Sequence, residues 1–159
     1  MSTDKMPDTK YQILLFLSIF LLGCTGSRPV TQVCFKGQCI EVELAQTQEE
    51  RARGLQNREY LDTERGMLFL FSDSRKHSFW MKETLIPLDI IWLDYARRII
   101  HIEANVPPCQ KDPCPSYVPS QDAMYVLELN AGKSKEFGLE AGDVVEFHLD
   151  TSAQRLIES

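Results

Sequence analysis

The sequence lacks the motifs that mark several large classes of protein. It has no run of basic residues, and its formal net charge is −6 at pH 7. It contains no Gly-x-Ser-x-Gly nucleophile motif, no glycine-rich phosphate loop, no internal repeat and no low-complexity block. These absences argue against nucleic-acid binding, against attachment to anionic lipid through surface charge, and against serine-hydrolase or nucleotide-binding chemistry.

The N-terminus has the pattern of an export signal. Lys5 and Lys10 precede an apolar stretch over residues 11–22, which is too short to anchor the chain stably across a bilayer. The stretch ends on Leu-Leu-Gly-Cys24, which resembles the lipobox of bacterial lipoproteins, although Leu22 stands where a smaller residue is commoner. We predict a signal peptide over 1–23 and a lipid on Cys24. The alternative is an uncleaved or conventionally cleaved leader, with Cys24 a free thiol.

The remaining cysteines form two pairs of identical spacing. Cys34 and Cys39 are five positions apart, as are Cys109 and Cys114. Close pairs that flank a turn satisfy disulfide geometry without moving distant parts of a fold. A four-thiolate zinc site is the alternative, but an exported chain favours two disulfides.

The rest of the chain is typical of one mainly β domain. We predict a lipidated tether over 24–33, a single domain over 34–150 and a frayed tail over 151–159. Short apolar stretches separated by turns predict a small β-sandwich, a jelly-roll-like fold or a partly closed barrel, with one or two short helices.

Local patterns place several elements within that domain. Thr47–Glu50 matches a capping box, and the helix it begins ends at Gly54. Gly66–Phe71 and His77–Met81 read as two aromatic strands separated by a polar turn. Leu88–Leu93 is apolar on both faces apart from one carboxylate, which predicts a central strand covered on both sides.

Four segments make the chain similar to a known family: Arg53–Leu55, Gly66–Phe69, Phe79–Asp94 and Tyr125–Gly132. Through them it resembles the family catalogued as domain of unknown function 192. The resemblance implies a small β-rich fold of sandwich or jelly-roll type, often exported, and it implies no activity.

The chain departs from that family at two places. Glu83 stands where the family usually has asparagine, which weakens any role for this position as an amide ligand. The turn over 94–97 lacks the glycine that similar sequences tend to carry.

Asp89 is the first candidate for a functional residue, because it interrupts an apolar strand. A buried carboxylate requires a partner, and Lys82 and Arg53 are the predicted ones. In the functional interpretation, Arg53, Trp80, Lys82 and Asp89 bind a small polar, saccharide-like ligand. In the structural interpretation, Asp89 forms a buried ion pair or caps backbone N–H groups at the turn near Pro87.

Glu128 interrupts a second apolar strand in the same way. If it shared a cleft with Asp89, the two carboxyl groups would be candidates for the catalytic acid and base of a glycan hydrolase. An outward-facing Glu128 is the favoured placement. A third hypothesis is an assembly protein that uses an exposed sheet edge or apolar patch and has no small-molecule site.

The aromatic and thioether side chains Met67, Phe69, Phe71 and Met81 are predicted to lie in the core, and Trp80 is the expected exception. His77, His101 and His148 occur on separate strands without metal-ligand spacing, so we expect them to face solvent. No metal and no cofactor are predicted.

These features together predict a protein of the cell envelope, held on the extracytoplasmic side through its lipid. Thr25 after the lipidated cysteine favours the outer membrane over the inner one. The expected partners are the membrane and either a small polar ligand or an envelope protein, and not nucleic acid.

Overall fold

The computed structural model describes residues 31–157, so the predicted signal peptide and Cys24 lie outside the described residues. Within this range the chain is mainly β, with short helices between the strands. The strands are β1 (Gln32–Phe35), β2 (Gln38–Ala45), β3 (Arg65–Arg75), β4 (Phe79–Trp80), β5 (Leu88–Leu93), β6 (Ile99–Val106), β7 (Ser116–Tyr117), β8 (Ala123–Asn130) and β9 (Glu146–His148). The helices are α1 (Gln48–Arg53), α2 (Lys133–Glu136) and α3 (Thr151–Ile157).

Seven strands form one curled sheet in the order β6-β5-β8-β3-β2-β1-β9, and β4 pairs with β7 in a separate ribbon. Only β2 and β3 run parallel. The curl brings the two ends of the sheet together, because Val144 bridges to Arg98 and the Val145 N–H donates to the Arg97 carbonyl at 3.0 Å. The predicted fold class, mainly β with a partly closed barrel among the options, is confirmed.

The sheet is covered on both faces by apolar side chains. Leu68, Leu127 and Phe147 belong to a cluster that draws on both edges of the sheet and therefore lies inside the curl. The side chains of Phe69 and Trp92, on the outer face, belong to a second cluster. All six residues of β5 are buried, which confirms the prediction of a doubly covered strand.

Helix α1 covers part of the outer face, and its ends are those that the sequence predicts. The Thr47 and Glu50 side chains form both halves of the capping box. Gly54 ends the helix with φ +46° and donates its N–H to the Glu50 carbonyl. A Cβ at Gly54 would lie 3.3 Å from the Phe69 ring, so glycine also lets α1 approach β3 closely.

Two predicted elements differ from the structure. The strand predicted over His77–Met81 is reduced to Phe79–Trp80, which pairs with β7 and not with the main sheet. The chain turns before it, because the His77 N–H donates to the Arg75 carbonyl at 2.8 Å. The predicted frayed tail contains α3, where an Asp150 carboxylate oxygen accepts the Ala153 N–H at 2.9 Å and Ala153 is buried. The helices of residues 31–157 therefore number three and not one or two.

Both predicted disulfides are present. Cys34–Cys39 closes the hairpin between β1 and β2, and Cys109–Cys114 lies in the loop before β7. The alternative of a four-thiolate zinc site is therefore wrong. Across residues 31–157, no helix has the length and apolar character needed to cross a membrane.

Candidate functional site

Asp89 lies on the inner face of β5 with no exposed surface. Its carboxylate accepts the backbone N–H groups of Asn105, Gly132 and Ser134 at 2.8, 3.0 and 2.8 Å, and the Ser134 hydroxyl at 2.6 Å. These bonds tie β6 and the start of α2 to β5. The structural interpretation is right that Asp89 caps backbone groups. The predicted partners Lys82 and Arg53, and the predicted location at the Pro87 turn, are wrong.

Glu128 lies on the opposite face of the sheet. In the antiparallel pair of β5 and β8, Asp89 is opposite Leu129 and Ile90 is opposite Glu128. Residues directly opposite each other share a face and neighbours along a strand do not, so the two carboxyl groups point away from each other. The hydrolase pair of Asp89 and Glu128 is therefore wrong. The prediction that Glu128 faces outward into solvent is wrong as well. Its side chain lies on the outer face of the sheet, but the residue is only 4% exposed.

The Glu128 carboxyl group has none of the support that Asp89 has. Its Oε2 atom is buried and has no hydrogen-bond partner in residues 31–157. Burial raises the pKa of Glu128 to about 8, because a charged carboxylate is poorly solvated there. Near pH 7 the group is therefore mostly neutral and can donate a hydrogen bond as well as accept one.

Glu128 forms part of a cleft of about 450 Å³ on the outer face of the sheet. The cleft lies between α1, the second half of β3, the turn after β3, and β4. Its apolar walls are aromatic and are made by Phe69, Phe71, Phe79 and Trp80. This size and this mixture of aromatic walls with a few polar groups are usual for small-molecule sites.

One wall is fixed by contacts around Phe71. The His77 ring stacks on Phe71 with centroids 3.5 Å apart, and the Arg51 guanidinium lies 5.1 Å from the same ring. Arg51 Nη1 also donates to the backbone carbonyls of Gln46 and Leu70, so this side chain is held in place. Desolvation lowers the pKa of His77, and the ring is neutral near pH 7.

His77 connects this wall to the core. Arg75 Nε donates to His77 Nδ1 at 3.3 Å, so the ring proton is on Nε2, which donates to the Asp73 carbonyl at 3.0 Å. The backbone carbonyl of His77 accepts the Trp92 indole N–H at 2.8 Å. The prediction that His77 faces solvent is wrong, whereas His148 is exposed as predicted and His101 is half-buried.

Four cationic side chains line the cleft: Arg51, Arg53, Arg75 and Lys76. Glu128 is the single acidic residue among the lining residues. With four cations and one acid, the lining has a net positive charge whether or not Glu128 is ionised, in a chain whose overall charge is −6.

The structure divides the predicted ligand-binding residues. Arg53 and Trp80 line the cleft, and Trp80 is 55% exposed. Lys82 lies beside Trp80, with Nζ 5.8 Å from the ring centroid, but it pairs with Asp112 at 3.0 Å and is not part of the lining. Asp89 belongs to the opposite face. Met67, Phe69 and Met81 are buried and Phe71 is half-buried, as the core prediction requires.

Sequence reasoning missed Arg51, Arg75, Lys76 and His77 as members of the site. Arg51 lies two positions before the predicted Arg53 on the predicted helix, and this spacing does not put two side chains on one helical face. Arg75, Lys76 and His77 lie in a turn whose position depends on where β3 leaves the sheet. No local signal marks any of them.

In the described part of the chain, no three His, Cys, Asp or Glu side chains come close enough to hold a metal ion.

The two departures from the family resemblance coincide with unusual backbone conformations. Glu83 has φ +58° and Arg97 has φ +61°. Asparagine and glycine tolerate this left-handed region best, so the backbone favours asparagine at position 83 and a glycine within the turn over 94–97. An amide at position 83 is thus favoured by conformation without any ligand.

Comparisons with known proteins fit this architecture. The chain matches the family model DUF192, described as an uncharacterized ACR, over residues 31–147. It is similar to the crystal structure of a protein of unknown function from Novosphingobium aromaticivorans, with 36% identity, a TM-score of 0.67, and coverage of 74% of this chain and 83% of that one.

A second similar crystal structure is of a Sinorhizobium meliloti protein assigned provisionally as a transcription regulator. It has 31% identity and a TM-score of 0.66, and the match covers 77% of this chain and 98% of that one. No curated protein matches the sequence.

Proposed function

We propose that this protein, which belongs to the DUF192 family, binds a small polar, saccharide-like ligand in the cleft. Membership of the family implies no activity, so the contacts of the cleft are what support this function. The observation that carries this proposal is that Glu128 belongs to the lining of an aromatic cleft while its buried Oε2 has no hydrogen-bond partner among residues 31–157. A buried polar atom without a partner is costly, and a ligand hydroxyl or carbonyl group would satisfy it. Trp80 offers an exposed ring on which a sugar face can stack.

We place ligand binding before the alternative of an assembly protein, because the cleft gives it a specific observation. The experiment is a ligand screen with a signal from the site. The chain has two tryptophans, and Trp92 is fully buried whereas Trp80 lines the cleft. Binding of a saccharide should change the emission of Trp80, and Trp80→Phe should remove that change while the Trp92 emission stays. A broad glycan and metabolite panel that leaves the wild-type emission and thermal stability unchanged would contradict ligand binding.

We also propose that the domain works in the cell envelope, attached through a lipid on Cys24. The two disulfides support export, because such bonds persist in oxidising compartments. The test is mass spectrometry of the protein from a bacterial membrane fraction. A diacylglycerol mass on a chain that begins at Cys24, lost in Cys24→Ala, is the expected result. A mature chain that starts elsewhere and has no lipid would contradict it.

A further inference from the structure

The charge of the cleft is opposite to that of the whole chain. The chain has a net charge of −6, yet four cations and one mostly neutral acid line the cleft. Low-dielectric walls of Phe69, Phe71 and Phe79 strengthen the field of these cations inside the cleft. A local reversal of charge of this kind favours an anionic ligand.

Two of the four cations are available to such a ligand. Arg51 is bonded to backbone carbonyls, and Arg75 forms an ion pair with Asp73 at 3.1 Å. The side chains of Arg53 and Lys76, by contrast, form no hydrogen bond and no ion pair within 4 Å with any residue of 31–157. They belong to different walls, Arg53 to α1 and Lys76 to the turn after β3. A guanidinium group binds a carboxylate or a phosphate with two parallel hydrogen bonds.

Glu128 adds a different kind of group. A neutral carboxyl group in an apolar site donates a hydrogen bond that a carboxylate cannot donate. An ionised Glu128 would repel an anion, whereas a neutral one binds its oxygen. The protonation state of this side chain therefore changes the affinity of the cleft for an anion.

Building on the proposed ligand-binding function, we infer that the cleft selects a small ring compound that carries an oxyanion group, such as a sugar acid. Arg53 and Lys76 bind the oxyanion, the aromatic walls contact the ring, and the Glu128 carboxyl group donates a hydrogen bond to a ligand oxygen.

This assignment requires a particular dependence on pH. Desolvation lowers the pKa of His77, so its ring stays neutral between pH 7 and pH 9. The other polar groups that face the cleft, Thr84 and Ser116 among them, do not titrate. Since the pKa of Glu128 is about 8, the affinity for an anion should fall about tenfold between pH 7 and pH 9.

The experiment is calorimetric titration of the full chain with glucuronate, glucose 6-phosphate and glucose at pH 7 and pH 9. Glucuronate or glucose 6-phosphate should bind at least about tenfold more tightly than glucose at pH 7, as expected for charge-assisted hydrogen bonds. The preferred anion identifies carboxylate or phosphate as the group that is recognised.

Two variants separate the contributions. Glu128→Gln keeps a hydrogen-bond donor but cannot ionise, so it should bind the anion about equally at pH 7 and pH 9. Arg53→Gln should weaken anion binding about tenfold and weaken glucose binding much less. Lys135→Gln, which removes an exposed cation of α2 outside the cleft lining, is the matched control and should change neither.

The outcomes distinguish the two proposals. Equal affinity for glucose and for both anions would overturn the anion selectivity, and anion binding unaffected by pH in the wild type would overturn the role of Glu128 as a donor to the anion; either result would leave ligand binding in place. Absence of binding for all three probes, together with a silent broad panel, would overturn the proposed function as well.

Discussion

The two faces of the central sheet each contain one buried carboxyl group, and the two groups have opposite surroundings. On the inner face Asp89 accepts four hydrogen bonds from Asn105, Gly132 and Ser134. On the outer face Glu128 belongs to the lining of the cleft, and its Oε2 has no hydrogen-bond partner in the part of the chain that the structure describes. Burial alone therefore does not reveal whether an acidic residue supports the fold or is available to a ligand, and the hydrogen-bond partners do.

The largest effect is expected from Asp89→Ala. This change leaves three backbone N–H groups and one hydroxyl group without their acceptor inside the protein. We expect a loss of about 3–5 kcal/mol in the free energy of unfolding, measured by urea denaturation. Amide hydrogen exchange at Gly132 and Ser134 should accelerate more than exchange in the strands of the sheet. A loss below about 1 kcal/mol would mean that Asp89 does not hold α2 to the sheet.

Glu128→Gln should instead stabilise the protein, increasingly as the pH rises from about 4.5 to about 8. The pKa of Glu128 is about 8 in the folded chain and near 4.5 when unfolded, so the folded state retains a proton that the unfolded state has lost. Wild-type stability should therefore fall between pH 4.5 and pH 8, by about 1.4 kcal/mol for each pH unit, relative to the variant. The difference should reach on the order of 3 kcal/mol near pH 7.

Denaturant unfolding of both proteins from pH 5 to pH 8 measures this difference. Glu140→Gln, at an exposed position, is the matched control and should leave stability little changed. Parallel curves for the wild type and Glu128→Gln would show that Glu128 is not buried as a neutral acid.

Ser134→Ala measures the contribution of one of the four hydrogen bonds to Asp89. It removes the hydroxyl donor and leaves the three backbone donors to Asp89 in place. We expect a loss of about 1–2 kcal/mol, smaller than that of Asp89→Ala because the carboxylate stays mostly satisfied. Thermal unfolding followed by circular dichroism would measure it, and a loss equal to that of Asp89→Ala would contradict this ordering.

The smallest effect is expected at position 83, next to the cleft residue Thr84. Since Glu83 has φ +58°, Glu83→Asn should stabilise the protein by about 0.5–1 kcal/mol and leave ligand affinity unchanged. Chemical denaturation and the glucuronate titration together test this. A change in affinity would show that position 83 contacts the ligand. Glu128 would then not be the single acidic residue that influences ligand binding.

The sequence predicted the strands better than the site. Leu88–Leu93, the capping box at Thr47 and the end of α1 at Gly54 follow from local patterns, because periodicity and capping depend on neighbours along the chain. The structure does not bring the four predicted ligand-binding residues together. Arg53 and Trp80 line the cleft, but Asp89 is on the other face and Lys82 turns to Asp112.

The reason for this difference lies in the strand register. Alternation places Glu128 on the face opposite Leu127 and Leu129, yet it does not reveal which strands flank β8 or what covers either face. Only the pairing of Ile90 with Glu128 and of Met67 with Glu128 puts this carboxyl group on the outer face. On that face, α1 and the turn after β3 place cationic side chains in the lining of the cleft.

By itself, the sequence determined a mainly β domain, its two disulfides and the ends of its first helix, because short-range spacing fixes these features. The tertiary structure alone decided the roles of the two buried acids, because partners far apart in the chain supply or withhold the hydrogen bonds. Asp89 accepts hydrogen bonds from Asn105, Gly132 and Ser134, which are 16 to 45 positions away in the sequence. No described residue forms a hydrogen bond with Glu128 Oε2. That difference makes Asp89 part of the scaffold and Glu128 the centre of the candidate site.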